Sequence, residues 1–212
     1  MKLYTYFRSS AAFRVRIALN LKGLQYEAKF VHLAKGEHRA AGYAALNPQA
    51  LLPTLEDGAA RLNQSLAIIE YLEETHPEPR LLPQDPAARA RVRALSLFVA
   101  CEIHPLNNLR VLQHLRKQLG QDEAQVNAWY RHWVADGLGK LEAELAGDAR
   151  TGKYSHGDSP SMADCCLVPQ VFNAKRFDCE LAPFPTVMRV FDACMKVAAF
   201  DAAQPAKQPD AE

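Results

Sequence analysis

The chain has 212 residues, 49% of them hydrophobic and 23% charged, enough for one large domain or two modest ones with a substantial core. Its 25 Lys and Arg against 24 Asp and Glu leave a formal charge of +1, so no global field favours nucleic acid or an anionic membrane surface. No apolar run approaches the roughly 18 residues of a spanning helix and no signal-peptide pattern opens the chain, so a cytoplasmic protein is expected.

In chain order, residues 2–7 read as a short apolar strand that ends near Ser9-Ser10, where an amphipathic helix begins and runs to about Lys22. Hydroxyls beside the unpaired N–H groups of a helix start stabilise an anion, or a thiol becoming thiolate. Residues 26–31 read as a second strand after a stop at Gly23, and residues 36–46 as helical or irregular. Residues 51–55 read as a strand interrupted by Pro53, which lacks a ladder donor and therefore sits at an edge or in a cis turn. In a thioredoxin-like domain a cis-proline here would leave the Leu52 N–H and C=O open to strand-like pairing with a peptide. Asp57-Gly58 is a hairpin turn signal, residues 60–62 its return strand, and residues 65–74 a helix with Ser65 as N-cap. With Gln64 beside it, Ser65 reads either as a plain cap or as a second helix-start site whose natural guest is a carboxylate. The order β-α-β-α-β-β-α predicts a small α/β domain with a mixed sheet over residues 1–82.

Pro77, Pro79, Pro83 and Pro86 mark a linker, beyond which strand signals nearly vanish. Residues 87–119 predict one long helix kinked at Pro105, residues 122–145 a second, and Ser161-Met162-Ala163-Asp164 opens a third with a capping box that uses Asp. A further helix is expected over residues 185–199, then an irregular tail, giving an all-helical domain over residues 87–212. In the kinked helix His104 and Asn108 would share a face at i, i+4, and Arg110 would need the kink to join them. Five cysteines without C-x-x-C spacing read as buried, reduced thiols, and seven scattered histidines predict no metal site. Trp129 and Trp133 read as a core or interface stripe, Arg14 and Arg16 as structural, and the Arg89, Arg91 and Arg93 run as a solvated face.

Ser9-Ser10, Leu52-Pro53-Thr54-Leu55, Gln64-Ser65-Leu66-Ala67 and Ser161-Met162-Ala163-Asp164, in this order, resemble the glutathione transferases. Ser9-Ser10-Ala11-Ala12-Phe13-Arg14-Val15-Arg16-Ile17-Ala18-Leu19 is similar to the zeta-class signature S-S-C-x-W-R-V-R-I-A-L. Asn47-Pro48-Gln49, Leu81-Leu82-Pro83-Gln84-Asp85-Pro86 and Leu167-Val168-Pro169-Gln170 also look like that class, so the resemblance spans essentially the whole chain. It implies a thioredoxin-like N-terminal domain, a C-terminal helical bundle and glutathione as cofactor. Ser9 would donate to the glutathione thiolate with Ser10 assisting, and Leu52, before a cis-Pro53, would bind the cysteinyl part. Gln64 and Ser65 would hold the γ-glutamyl end, with His38, Gln49, His104 and Asn108 at the glycyl end or the wall of the site.

The activity implied is glutathione-dependent cis–trans isomerisation of maleylacetoacetate or maleylpyruvate in aromatic catabolism, by thiolate addition, bond rotation and elimination. Such a substrate is a dianion, for which Arg8, beside Ser9, is the first receptor and Arg110 and Arg176 are further ones. The other readings are a general zeta-class transferase acting on α-halo acids and a non-catalytic binding module, the latter disfavoured by the retained Ser9, Gln64 and Ser65. The family usually forms homodimers. One departure stands in the signature: its cysteine is Ala11 here and its tryptophan Phe13. Because glutathione supplies the attacking sulfur, the resemblance implies that this loss tunes rate or affinity.

Overall fold

A computed structural model describes all 212 residues. They divide into two units, Met1–Leu82 together with Met195–Glu212, and Pro83–Cys194. The break after Leu82 coincides with the proline-rich linker. The expected second domain, by contrast, ends at Cys194 instead of running to residue 212.

In the first unit β1 (Lys2–Thr5) lies parallel to β2 (Glu27–Phe30) and antiparallel to β3 (Thr54–Asp57), which pairs antiparallel with β4 (Ala60–Asn63). The order β2-β1-β3-β4 is the mixed sheet anticipated. Leu3 and Leu55, fully buried partners in register on the two central strands, anchor one face of it. The chain turns at Asp57-Gly58 with Gly58 at φ +56°, a left-handed position that suits glycine. Helix α1 (Ser10–Leu21) follows β1, a 3-10 turn at Glu37–Arg39 leads into α2 (Ala41–Leu46), and α3 (Ser65–Thr75) follows β4. Val15, Ile17 and Leu19 of α1 and Ile68, Ile69 and Leu72 of α3 have no exposed surface, and the two helices pack together. At the far end of α1, Lys22 Nζ is 2.7 Å from a Glu73 carboxylate oxygen and also donates to the carbonyls of His76 and Pro79. Glu73 accepts in addition the Leu81 and Leu82 N–H groups, so this buried pair is fully hydrogen-bonded, as burial demands.

The second unit is helical throughout: α4 (Pro86–Leu97), α5 (Leu109–Lys117), α6 (Glu123–Gly147), α7 (Met162–Arg176) and α8 (Pro185–Met195). Asp85 and Asp122 cap α4 and α6, accepting the N–H groups of Ala88 and Gln125 at 2.8 Å each. Val126, Tyr130, Val134, Leu138, Leu141 and Leu145 form one buried stripe along α6. At the start of α7 the Asp164 carboxylate reaches back to the Ser161 N–H at 2.7 Å, the expected Asp version of a capping box, and also holds the Ser155 N–H.

Three expectations need correction here. The long helix over residues 87–119 is not merely kinked: it passes into a π-helix at Phe98–Ile103 and a 3-10 turn at His104–Asn107, then restarts at α5 after an extended Asn108. Pro105 cannot donate to an α-helical ladder, and the chain resolves this by changing helix type. Arg91 is not solvated, since it bridges Asp148, Thr151, Ser155 and His156. Of the cysteines, Cys165, Cys166 and Cys194 are buried as anticipated, but Cys101 is exposed and Cys179 half-buried.

Helix α9 (Ala198–Ala202) and the tail return to the first unit. Asn20 donates to the Ala199 carbonyl at 3.0 Å, and the Asp210 carboxylate accepts the Phe7 N–H at 2.9 Å.

Candidate functional site

The turn from β1 into α1 is held from inside. Arg16, 1% exposed, donates to the carbonyls of Tyr6, Phe7 and Ala203 and to the Thr5 hydroxyl at 3.0–3.3 Å. Burial lowers its pKa to about 10, so it stays charged at neutral pH. This fixes Phe7, Arg8 and Ser9 in space. Ser9 is the N-cap of α1: its Oγ accepts the Ala12 N–H at 3.2 Å, which leaves its own proton to donate. The Ala11 N–H has no acceptor in the protein. Ser9 and Ser10 are both buried, 8% and 7% exposed, while Arg8 is exposed with its guanidinium over the Phe7 ring.

The Leu52-Pro53 peptide is cis, as anticipated, and lies just before β3 instead of within a strand. Its neighbour Leu51 is pinned, its carbonyl accepting from the Tyr43 hydroxyl at 2.6 Å and from the Asn47 Nδ2 at 2.8 Å. Leu52 is the opposite case, since neither its N–H nor its C=O has a partner in the protein. A buried residue with an open donor and acceptor is prepared for an extended peptide-like guest.

At α3 the structure corrects the cap. Gln64, not Ser65, holds the N-cap position, with φ +69° and ψ 120° and no side-chain cap, and Ser65 is the first helical residue. The N–H groups of Ser65, Leu66 and Ala67 therefore face no protein acceptor, because the first helical bond runs from Ile68 to Gln64. Ser65 Oγ accepts from Arg14 at 3.3 Å, and Gln64 Nε2 donates to Gln49 Oε1 at 2.7 Å. Gln49, Gln64 and Ser65 are thus brought together, with the buried Arg14 guanidinium adding positive charge behind the helix start. His38 lies buried in the 3-10 turn at Glu37–Arg39 with Nδ1 lacking a partner. Its pKa is lowered by burial and by the adjacent Arg39, so at neutral pH it is an uncharged hydrogen-bonding ring.

In the second unit, His104 opens the 3-10 turn and Asn108 caps α5, its Oδ1 accepting the Arg110 N–H at 3.2 Å. The shared i, i+4 helical face expected for His104 and Asn108 does not exist, because Asn108 is extended at ψ 148°. Arg110 is exposed on the first turn of α5, and Arg176 is exposed at the end of α7 with its guanidinium 4.8 Å from the Phe177 ring centre. Sequence reasoning missed the supporting roles of Tyr43 and Thr54, and read Arg14 as structural without its Ser65 partner. Tyr43 gave no local signal, since its partners Leu51 and Thr54 are reached only through the fold. No group of three or more metal-ligating side chains exists in the chain.

Residues 8–75 match the family model "Glutathione S-transferase, N-terminal domain". The chain is 53% identical over 210 residues to maleylpyruvate isomerase of a Ralstonia species, covering 99% of each protein. It superposes at a TM-score of 0.98, over 100% of both chains at 53% identity, on the holo structure of a maleyl pyruvate isomerase described as a bacterial glutathione S-transferase of the zeta class. Maleylacetoacetate isomerase of Methylobacterium extorquens AM1, solved with malonate and glutathione bound, matches at 42% identity with a TM-score of 0.97 over 100% of both chains.

Proposed function

Because the chain belongs to the zeta class of the glutathione transferases, we propose that it is a glutathione-dependent cis–trans isomerase of maleylacetoacetate or maleylpyruvate. The observation that carries this reading is the set of open polar groups in the first unit: the Ala11 N–H, both backbone groups of Leu52, and three N–H groups at the start of α3. They fit a small peptide with a thiol and a terminal carboxylate. Bound glutathione supplies the sulfur that adds to the cis alkene, so that the bond can rotate before the sulfur leaves.

The residues of this chain divide the remaining work. Ser9 donates a hydrogen bond from its hydroxyl to the thiolate, and Ser10 and the Ala11 N–H add to the positive field of the helix start. Leu52 pairs with the cysteinyl backbone. The α3 start, with Gln64 and Ser65, takes the γ-glutamyl carboxylate, and Gln49 positions the Gln64 amide. His38, neutral, His104 and Asn108 serve as hydrogen-bonding groups for the glycyl end or the substrate. Arg8 neutralises the dianion and the enolate charge that develops on it, and Arg110 and Arg176 are further receptors. Ala11, in place of the signature cysteine, removes a side-chain thiol that this chemistry does not require. A relative was solved with malonate and glutathione bound, and malonate is a dicarboxylate, which supports an acidic substrate over a neutral electrophile. No helix is long and apolar enough to cross a membrane, and a cytoplasmic homodimer completes the reading.

Retention on immobilised glutathione tests the cofactor site, and steady-state assays with both maleyl compounds and dichloroacetate, with and without glutathione, test the reaction. Glutathione-dependent isomerisation is expected. No retention removes every glutathione-dependent reading, whereas turnover of dichloroacetate alone replaces the isomerase with a general transferase. Arg8→Ala is expected to raise KM for the maleyl substrate more than for glutathione, and an unchanged KM removes Arg8 from the site.

A further inference from the structure

The geometry points to Trp129 and Gly137 of α6 as positioning residues for this reaction: together they clamp the irregular segment 98–108 and set where it presents His104 and Asn108. The inference rests on the isomerase reading above.

A π-helix followed at once by a 3-10 turn is not a self-sustaining arrangement, since each uses a poorer hydrogen-bond register than the α-helix on either side. The side chain of Asn107 holds it only weakly. Asn107, buried in the turn, donates to the Ile103 carbonyl only at 3.4 Å, and its Oδ1 has no partner. Two contacts from α6 supply what is missing. The Trp129 indole N–H donates to the Leu106 carbonyl at 2.8 Å, in the middle of the 3-10 turn. One residue before that turn, Ile103, 1% exposed, sits against Gly137 so closely that an added Cβ would lie 2.5 Å from Ile103 Cγ1 and 2.7 Å from Cδ1. Trp129, Trp133 and Gly137 follow one another at i, i+4 on one face of α6, over about 12 Å of helix. Trp133 packs on Trp129 at 5.6 Å between ring centres and stiffens the donor.

Gly137 is informative because nothing in its backbone requires glycine: it is mid-helix without a positive φ, where alanine is the better helix former. Its role is therefore the space it leaves for Ile103. Gly139, two residues on, is the matched contrast, since a Cβ there would meet only Phe184 Cε1 at an ordinary 3.8 Å. His104 stands between the two clamped residues, and Asn108 directly follows the turn. A displacement of about 1 Å in such groups costs up to on the order of a hundredfold in rate.

The test compares Trp129→Phe, Gly137→Ala, Gly137→Ala with Ile103→Ala, and Gly139→Ala. The first two are expected to lower kcat/KM for the maleyl substrate about tenfold, within that range. Hydrogen–deuterium exchange should rise in peptides covering residues 98–110 and not in residues 1–82, and the thiolate absorbance of bound glutathione should stay unmoved, since Ser9 lies outside the clamp. Ile103→Ala should recover most of the Gly137→Ala loss, and Gly139→Ala should match the wild type. Unchanged exchange in 98–110, or activity lost only in proportion to folded protein with no rescue, overturns the clamp. A wild-type protein that isomerises neither maleyl compound overturns the isomerase reading and this role with it, and that assay tells the two failures apart.

Discussion

The starts of α1 and α3, in the same unit, treat their unpaired N–H groups in opposite ways. At α1 the chain caps itself, Ser9 Oγ taking the Ala12 N–H, and the junction is braced from beneath by Arg16. At α3 the N-cap side chain turns away to Gln49, its backbone at φ +69° is strained for a non-glycine residue, and three N–H groups are left open. On the proposed reading, the difference separates a rigid donor from a receptor. A group that must hold a thiolate needs a fixed hydroxyl with one proton to give, whereas a carboxylate is met by open N–H groups and the helix dipole. Two arginines two positions apart on α1 support the two starts: Arg16 braces its own junction and ties it to Ala203, and Arg14 reaches Ser65.

The comparison breaks first at Arg16. Arg16→Met leaves the Phe7 and Ala203 carbonyls without their donor, at about 1–3 kcal/mol each, while the Tyr6 carbonyl keeps the Ser9 N–H, so the fold is expected to lose about 2 kcal/mol or more, about 5 °C in Tm by thermal denaturation. Ser9→Ala attacks the donor alone. Isomerisation should fall at least about tenfold, with the ultraviolet titration of bound glutathione showing a raised thiol pKa, and stability should fall by about 1 kcal/mol for the lost cap. Gln64→Gly sharpens the contrast because its two effects have opposite signs. Relief of the positive φ should raise stability by about 1 kcal/mol, while loss of the amide weakens glutathione binding by about fivefold in calorimetry, the value of one hydrogen bond. A mutant that loses both stability and affinity would make Gln64 a plain structural cap. Ala11→Cys is expected to matter least, changing kcat by less than about threefold, and a larger gain in steady-state assays would show that the signature thiol takes part in turnover.

Much of the first unit was legible because its signals are local. Ser9 before an apolar-periodic helix and the Asp57-Gly58 turn each state their own conformation within a few residues, Pro53 signals an edge or a cis turn without deciding between them, and the linker prolines mark the break at Leu82. The cap of α3 was misread by one residue because serine is the better cap by propensity, and only the fold holds Gln64 at a positive φ. The second unit was read as helical, but its irregularity was not, since Pro105 signals a disruption without stating its form.

The sequence by itself determined the element order, the two-part division near the linker, the Ser9-capped start of α1 and, through its motifs, the family. Those features depend on side chains acting on their own backbone or on a periodic apolar face, and such effects travel with the sequence. Tertiary structure alone decided that residues 195–212 join the first unit, that Arg91 is sequestered, and that helix 87–119 breaks into α, π and 3-10 pieces. Each of these depends on a partner far along the chain: Arg16 with Ala203, Arg91 with Asp148, and Ile103 with Gly137. A buried donor or a close contact is settled by whichever group the fold brings opposite, and no local pattern carries that information.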